Sequence, residues 1–149
     1  MKRIFVLIVF IVYFFSTFET VYAQGTGWDI ESLNSEISIL ENGKVSINEI
    51  IVANFNSIEH HGIYRDLVYK KDSTDKKRHY LSYQIKEVFM DDSSVQYTTS
   101  YTDEFFRIQI GNPSKTLTNK HIYKIKYTAT GAIGSFSDHD ELYWNVTGN

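Results

Sequence analysis

The segment ENGKVSINEIIVANF, residues 41–55, combines a turn signal with a long alternating run, and it indicates the fold class of the whole chain. Asn42-Gly43 readily adopts the positive φ angles of a tight hairpin turn. Just before it, Ile37 and Ile39 alternate with polar residues, which is the period of a strand with one buried face. The segment therefore predicts a β-hairpin.

The returning strand carries a carboxylate, Glu49, in an otherwise apolar stripe, whose members are Val45, Ile47, Ile51, Ala53 and Phe55. Burying an unpaired carboxylate costs too much free energy, so Glu49 must reach the edge of the core or meet a cation. Alternatively, a bulge near Glu49 and Ile50 turns the opposite face inward.

Arg65 follows in a segment without sustained periodicity, and we predict that it folds back over the strand. Its partner is then either Glu49 or a carboxylate within residues 138–141, because a guanidinium suits bidentate pairing with a carboxylate. The alternative is that the loop around Arg65 is an anion clamp.

Further alternating segments predict strands and leave loops between them. Strands are predicted at 80–89, 95–102, 104–110, 120–130 and 142–146, and loops at 56–77, at the charged tract 70–79 and at 131–137. Trp144, flanked by Leu142 and Val146, is predicted to face the core. No helical period occurs after residue 23, so we predict an all-β fold in which two antiparallel sheets pack as a sandwich.

The N-terminus has the pattern of a signal peptide. Lys2 and Arg3 precede an apolar run, and small residues at Val21 and Ala23 suit signal peptidase. An uncleaved anchor helix is the alternative, but about 20 apolar residues are needed to span a bilayer and Glu19 interrupts the run. We predict a signal peptide at 1–23 and a sandwich domain at 28–149.

Composition excludes several classes of function. The chain has 15 basic and 18 acidic residues. Without the two cations and one carboxylate of residues 1–23, 13 basic and 17 acidic residues remain, a net charge of −4. That argues against nucleic acid as a partner. The absence of cysteine excludes thiol catalysis and iron–sulfur clusters, and we expect no cofactor.

The densest set of potential metal ligands is Asp138, His139, Asp140 and Glu141. Closely spaced carboxylates suit calcium, and His139 together with His60, His61 or His121 would suit zinc, although no HxH or HExxH spacing is present. The calcium-loop spacing with its glycine is absent, so a solvated turn is the alternative. No arrangement typical of a catalytic site is recognisable, and no catalytic residue is predicted.

Several segments together resemble a known family. They are HGIYRDL (61–67), RIQIGNPSKTLT (107–118), HIYKIKY (121–127) and DHDELYWNVTG (138–148). They are similar to the N-terminal region of domain of unknown function 2207, a family of predicted bacterial membrane proteins, over nearly all of residues 28–149.

The resemblance implies an exported β-rich region followed by transmembrane helices, and no established activity. It also implies that the sandwich continues past Asn149, so we expect a truncated chain. The signature positions that it implies are Glu49, His61, Gly62, Tyr64, Arg65, Glu141, Tyr143, Trp144 and Gly148.

These observations lead to two hypotheses. The first is a non-catalytic binding or scaffolding module at the extracellular face of the membrane or in the cell envelope, with an unknown protein or envelope partner. Membrane association would come from helices downstream of this chain. The second is an exported calcium- or zinc-dependent binder or hydrolase centred on Asp138–Glu141.

Overall fold

The computed structural model describes residues 27–72 and 78–147. Outside these ranges lie residues 1–26, 73–77 and 148–149, which include the predicted signal peptide, part of the charged tract and Gly148. Every regular element within them is a β-strand, which confirms the predicted all-β fold.

The strands within the described ranges are numbered in chain order. They are β1 (Asp29–Ile39), β2 (Val45–Asn54), β3 (Ile63–Val68), β4 (Lys70–Asp72), β5 (Arg78–Tyr80), β6 (Ser82–Met90), β7 (Ser93–Ser94), β8 (Tyr97–Tyr101), β9 (Phe105–Ile110), β10 (Lys120–Thr130), β11 (Ile133–Ser135) and β12 (Asp140–Leu142).

Two sheets enclose the core. A five-stranded sheet has the order β1-β2-β10-β6-β7, and a three-stranded sheet has the order β3-β9-β8, with all pairs antiparallel. The buried cluster draws on both sheets, with Ile47, Tyr123 and Ile125 from the larger one and Ile108 and Ile110 from the smaller one. The pairs β4–β5 and β11–β12 form two small ribbons.

The predicted hairpin at 41–44 is confirmed. The Leu40 N–H donates to the Lys44 carbonyl oxygen at 2.8 Å, and Gly43 takes a φ of +73° in the turn between β1 and β2. The register of β2 with β10 runs through Glu49 and Ile50 without a shift. The predicted bulge at these residues is therefore wrong, and the stripe from Val45 to Phe55 is buried, Glu49 included.

A real bulge lies in β6. The register with β10 shifts between the pairs Lys126↔Glu87 and Tyr127↔Ile85, which leaves Lys86 as an extra residue. The inward face therefore changes after Ile85, and Val88 rather than Glu87 joins the core. Unbroken alternation over 80–89 was a wrong prediction for this reason.

Other departures from the predicted pattern have local causes. β3 forms where a loop was predicted. The alternation of its inward residues Ile63, Arg65 and Leu67 was not recognised, because one of the three is charged. Part of the charged tract pairs as β4 and β5, and β11 lies in the predicted loop 131–137. The last strand ends at Leu142 instead of Val146, and strand 95–102 is reduced to Tyr97–Tyr101. The boundaries of β10 agree with the prediction, and those of β9 agree to within one residue.

Within residues 27–72 and 78–147, no helix has the length and apolarity needed to span a membrane.

Candidate functional site

Glu49 and Arg65 form a buried ion pair between the two sheets. Arg65 Nε donates to Glu49 Oε2 and Nη2 donates to Oε1, both at 2.7 Å. The exposed fractions of the two side chains are 6% for Arg65 and 0% for Glu49. The predicted pairing is thus confirmed with Glu49 as the partner, and Arg65 reaches it from strand β3 instead of from a loop. The guanidinium fork is occupied by a carboxylate of the protein, which favours this interpretation over an anion clamp.

A third side chain closes the network. The Tyr127 hydroxyl donates to Glu49 Oε1 at 2.9 Å, so that carboxylate accepts three hydrogen bonds in all. Burial raises the pKa of Tyr127 far above its ordinary value, and the charge of Glu49 raises it further. Tyr127 therefore stays a hydroxyl donor. A buried carboxylate is tolerated when its oxygens are satisfied in this way.

The contacts with Glu49 also keep Arg65 in its charged form. Burial alone would lower the pKa of Arg65, but the hydrogen bonds and charge of Glu49 outweigh burial and raise this pKa above its ordinary value. Nη1 also donates to the Asp66 carbonyl oxygen at 3.2 Å. Arg65 therefore stays charged, and it is bonded both to Glu49 and to the main chain.

The C-terminal segment, residues 143–147, is hydrogen-bonded to this network through its main chain. Arg65 Nη2 donates to the Val146 carbonyl oxygen at 3.0 Å. Half-buried Trp144 lies against the rings of Tyr83 and Tyr127, with centroid distances of 6.2 and 6.3 Å. Its direction toward the core is as predicted, although it lies beyond the end of β12. Leu142 and Val146 are exposed.

Two glycines bring β3 and β9 into close contact. A Cβ on Gly62 would lie 1.9 Å from the Ile110 carbonyl oxygen, and one on Gly111 would lie 1.9 Å from the His61 carbonyl oxygen. Only glycine fits at both positions, and their φ values of 134° and 136° also favour it. Exposed His61 donates from Nδ1 to the Lys115 carbonyl oxygen at 2.9 Å. Gly62 and His61 thus help to position the start of β3.

A second bidentate pair lies on the outer face of the same sheet. Arg107 donates to both carboxylate oxygens of Asp66, at 2.7 and 2.6 Å. Its guanidinium also lies 4.7 Å from the ring centroid of Tyr64, which is 60% exposed. Hydrogen bonds to Asp66 raise the pKa of Arg107. This pair has the same bidentate geometry as the pair of Glu49 and Arg65, but its side chains are more exposed, 36% for Arg107 and 20% for Asp66.

The acidic segment 138–141 forms an exposed cluster away from this network. Its histidine contacts two carboxylates, with His139 Nδ1 2.8 Å from Asp138 and Nε2 3.1 Å from Glu141. Phe136 stacks on the histidine ring at 4.9 Å, and Asp140 begins β12. Among residues 27–72 and 78–147, no group of three or more His, Asp or Glu side chains is arranged to hold a metal ion. Calcium or zinc binding here stays a prediction, tested by titration of the wild type against Asp140→Ala.

Seven of the nine signature positions fall into three groups. Glu49 and Arg65 meet directly, and Trp144 packs against the ring of Tyr127, which is bonded to Glu49. Tyr64, His61 and Gly62 belong to the neighbourhood of β3, whereas Glu141 lies in the exposed acidic cluster. Tyr143, 64% exposed, donates its N–H to the Ala132 carbonyl oxygen at 3.3 Å.

Sequence reasoning missed the part played by Tyr127. Tyr127 alternates with Lys126 and Thr128 on the predicted strand 120–130, which indicates an inward side chain, and a buried phenol usually needs a hydrogen-bond partner. That requirement was the available signal for its bond to Glu49. The Val146 carbonyl leaves no such signal, because every residue carries one.

Removing one partner of the buried pair should be strongly destabilising, because it leaves an unpaired charge in the core. We expect Arg65→Ala to lower the free energy of unfolding by about 3–5 kcal/mol. Glu49→Ala/Arg65→Ala should lose little more than either single variant, since the two side chains are coupled. Urea denaturation followed by circular dichroism measures all three.

Arg107→Ala is the matched control, because it removes a pair of the same geometry at the surface. Its expected loss is at most about 1 kcal/mol. Equal losses for Arg65→Ala and Arg107→Ala would show that burial is not what makes the inner pair important.

Trp144 should contribute through its ring contacts and not through its indole N–H, which is buried and has no partner within the part of the chain that the structure describes. Trp144→Ala should cost about 2–3 kcal/mol, below the range for a wholly buried tryptophan. Trp144→Phe should cost clearly less, because it keeps a ring and removes an unsatisfied donor. The same urea experiment measures both variants, and an equal cost for both would contradict this account.

His139 should titrate above an ordinary histidine. Hydrogen bonds that the His139 ring donates to Glu141 and, secondly, to Asp138 raise the pKa of His139. Its contribution to stability should be present below the pKa of the unfolded chain and lost as pH rises through the folded value. Histidine ring resonances followed by NMR against pH measure this pKa. Glu141→Gln should lower it, and an unchanged pKa would contradict the observed contact.

Comparison with known proteins confirms the resemblance noted above. No curated protein and no solved structure matches the chain significantly. A family model described as "Predicted membrane protein (DUF2207) N-terminal domain" matches residues 29–149. Since this match covers more than half of the sequence, the chain belongs to the DUF2207 N-terminal domain family.

Proposed function

We propose that this chain is an exported, non-catalytic binding or scaffolding module of a membrane protein of the cell envelope. The observation that carries the proposal is the closed network around Glu49 and Arg65. Its strong hydrogen-bonding groups are directed at one another and at the Val146 carbonyl. They join the two sheets and the C-terminal segment into one body.

The burial of Glu49 and Arg65 favours a structural role for these two ionisable groups over a catalytic role. A catalytic carboxylate or guanidinium must reach the atoms of a substrate. The side chain of Glu49 has no exposed surface, and its oxygens already accept bonds from Arg65 and Tyr127. The network therefore supports a structural role, and interactions with partners are left to the outer surface.

The sequence supports a location outside the cytoplasm. Residues 1–23 have the pattern of a signal peptide, and the family description is that of a predicted membrane protein. The core is built without cysteine, so the fold does not depend on the redox state of its compartment.

The lack of cysteine allows a direct test of export. Ser137→Cys places a single thiol at an exposed position, and a membrane-impermeant maleimide applied to intact cells should label it. In the same preparation, N-terminal sequencing should begin at Gln24 if the predicted signal peptide is cleaved.

Ala129→Cys is the matched control, because position 129 is 0% exposed and should label only after denaturation. Labelling of the Ser137→Cys thiol only after cell lysis would show that the domain faces the cytoplasm, and it would overturn the proposed location.

A further inference from the structure

Strand β1 is a long edge of the larger sheet. Within the described ranges, β2 is the strand that pairs with it, and its other side has no strand partner. It has 11 residues, DIESLNSEISI, without the lysine, arginine or proline that often protect an exposed edge. Ile39 at its end is 60% exposed. The register with β2 shifts between Ile30 and Ser32, so residues 32–39 form the regular part of the edge that can serve as a template for another strand.

The antiparallel register identifies the backbone groups that face the open side. Opposed residues alternate between hydrogen-bonded and non-hydrogen-bonded pairs. Leu40 and Lys44 are bonded, and the register is unshifted from Ile39 back to Ser32. The N–H and C=O groups of Leu33, Ser35 and Ile37 therefore point away from β2, toward the open edge.

A groove lies beside this edge, between β1 and β3. Its volume is about 210 Å³, and its apolar wall includes Trp28, Ile30, Leu33 and Ile63. Ile30 is 44% exposed there. Alternate side chains of a strand added to β1 would point to the same face as Leu33 and enter this groove.

The charges of β1 are of one sign. Asp29, Glu31 and Glu36 are its charged residues, and Glu31 is paired with Lys120 at 2.5 Å. Asp29 and Glu36 are exposed. Opposite charges on neighbouring strands stabilise their pairing, so cations on an added strand would suit this edge.

We propose that β1 binds an extended segment of a partner protein in which basic and apolar residues alternate. The segment adds as a sixth strand to the larger sheet, its apolar residues enter the groove and its cations face the carboxylates of β1. This mode of recognition combines main-chain hydrogen bonds with pockets for alternate side chains. The inference rests on the proposed binding function and names the chemistry of its partner.

A second copy of the chain fits this edge less well. Two β1 strands side by side would bring six carboxylates together without a cation from either strand, and like charges on adjacent strands are destabilising. Self-association through β1 is therefore one of the outcomes that would overturn the proposal.

The test uses purified protein and a capped peptide, Lys-Val-Lys-Val-Thr-Val-Lys-Val, with binding measured by calorimetry. Ser35→Pro removes an N–H that faces the open edge and leaves the β1–β2 hydrogen bonds in place. It should weaken peptide binding by about tenfold. Ser35→Ala keeps that N–H and is the matched control, with an expected change within about twofold.

A charge variant covers the case in which Ser35→Pro does not fold. Asp29→Asn/Glu36→Gln changes two exposed side chains and should weaken binding of the lysine peptide, most clearly at low salt. A peptide with glutamate in place of lysine should bind more weakly than the lysine peptide to the wild type.

Three results would overturn the proposal. They are no binding of the lysine peptide to the wild type, equal binding by the charge variant, and a wild-type dimer in sedimentation that Ser35→Pro dissociates. None of these results depends on the labelling of Ser137→Cys in intact cells, so failure of the partner assignment and failure of the proposed location are distinguishable.

Discussion

The desolvation of Glu49 is the constraint on which the rest of this structure depends. A carboxylate placed in the middle of β2, an interior strand of the larger sheet, cannot be left without donors, because its transfer from water costs several kcal/mol. Arg65 supplies two donors and Tyr127 a third. These residues belong to β2, β3 and β10, so satisfying one charge fixes the position of the smaller sheet over the larger one.

The same network explains how an irregular C-terminal segment is held. Residues 143–147 follow β12 and form no strand, yet the Val146 carbonyl accepts a bond from Arg65 and Trp144 packs against Tyr83 and Tyr127. The ion pair therefore has a second use as an anchor for the chain. The surface pair of Arg107 and Asp66 shows that bidentate geometry alone does not create such an anchor, because it lies on the outer face of the sheet.

The unequal size of the two sheets shapes the surface. The smaller sheet ends at β3 on one side, and β1 is the opposing edge of the larger sheet. The groove between them adjoins both an open strand edge and the apolar side chains that the smaller sheet does not cover. The buried ion-pair network and the open strand edge are the two features on which the binding role proposed above rests.

The sequence alone was enough to predict the all-β class, the β1–β2 hairpin and the pairing of Arg65 with a carboxylate. Each of these follows from local periodicity, from turn chemistry or from the cost of burying a charge, and all three can be evaluated residue by residue. The choice between Glu49 and the 138–141 carboxylates required the tertiary structure, since reach along the chain permits both. The strand β3 was missed because an inward arginine has the appearance of a loop residue until its partner is known. The bulge at Lys86, the hydrogen bond of Tyr127 and the use of the Val146 carbonyl depend on contacts between residues distant in sequence, so only the packing of the two sheets decided them.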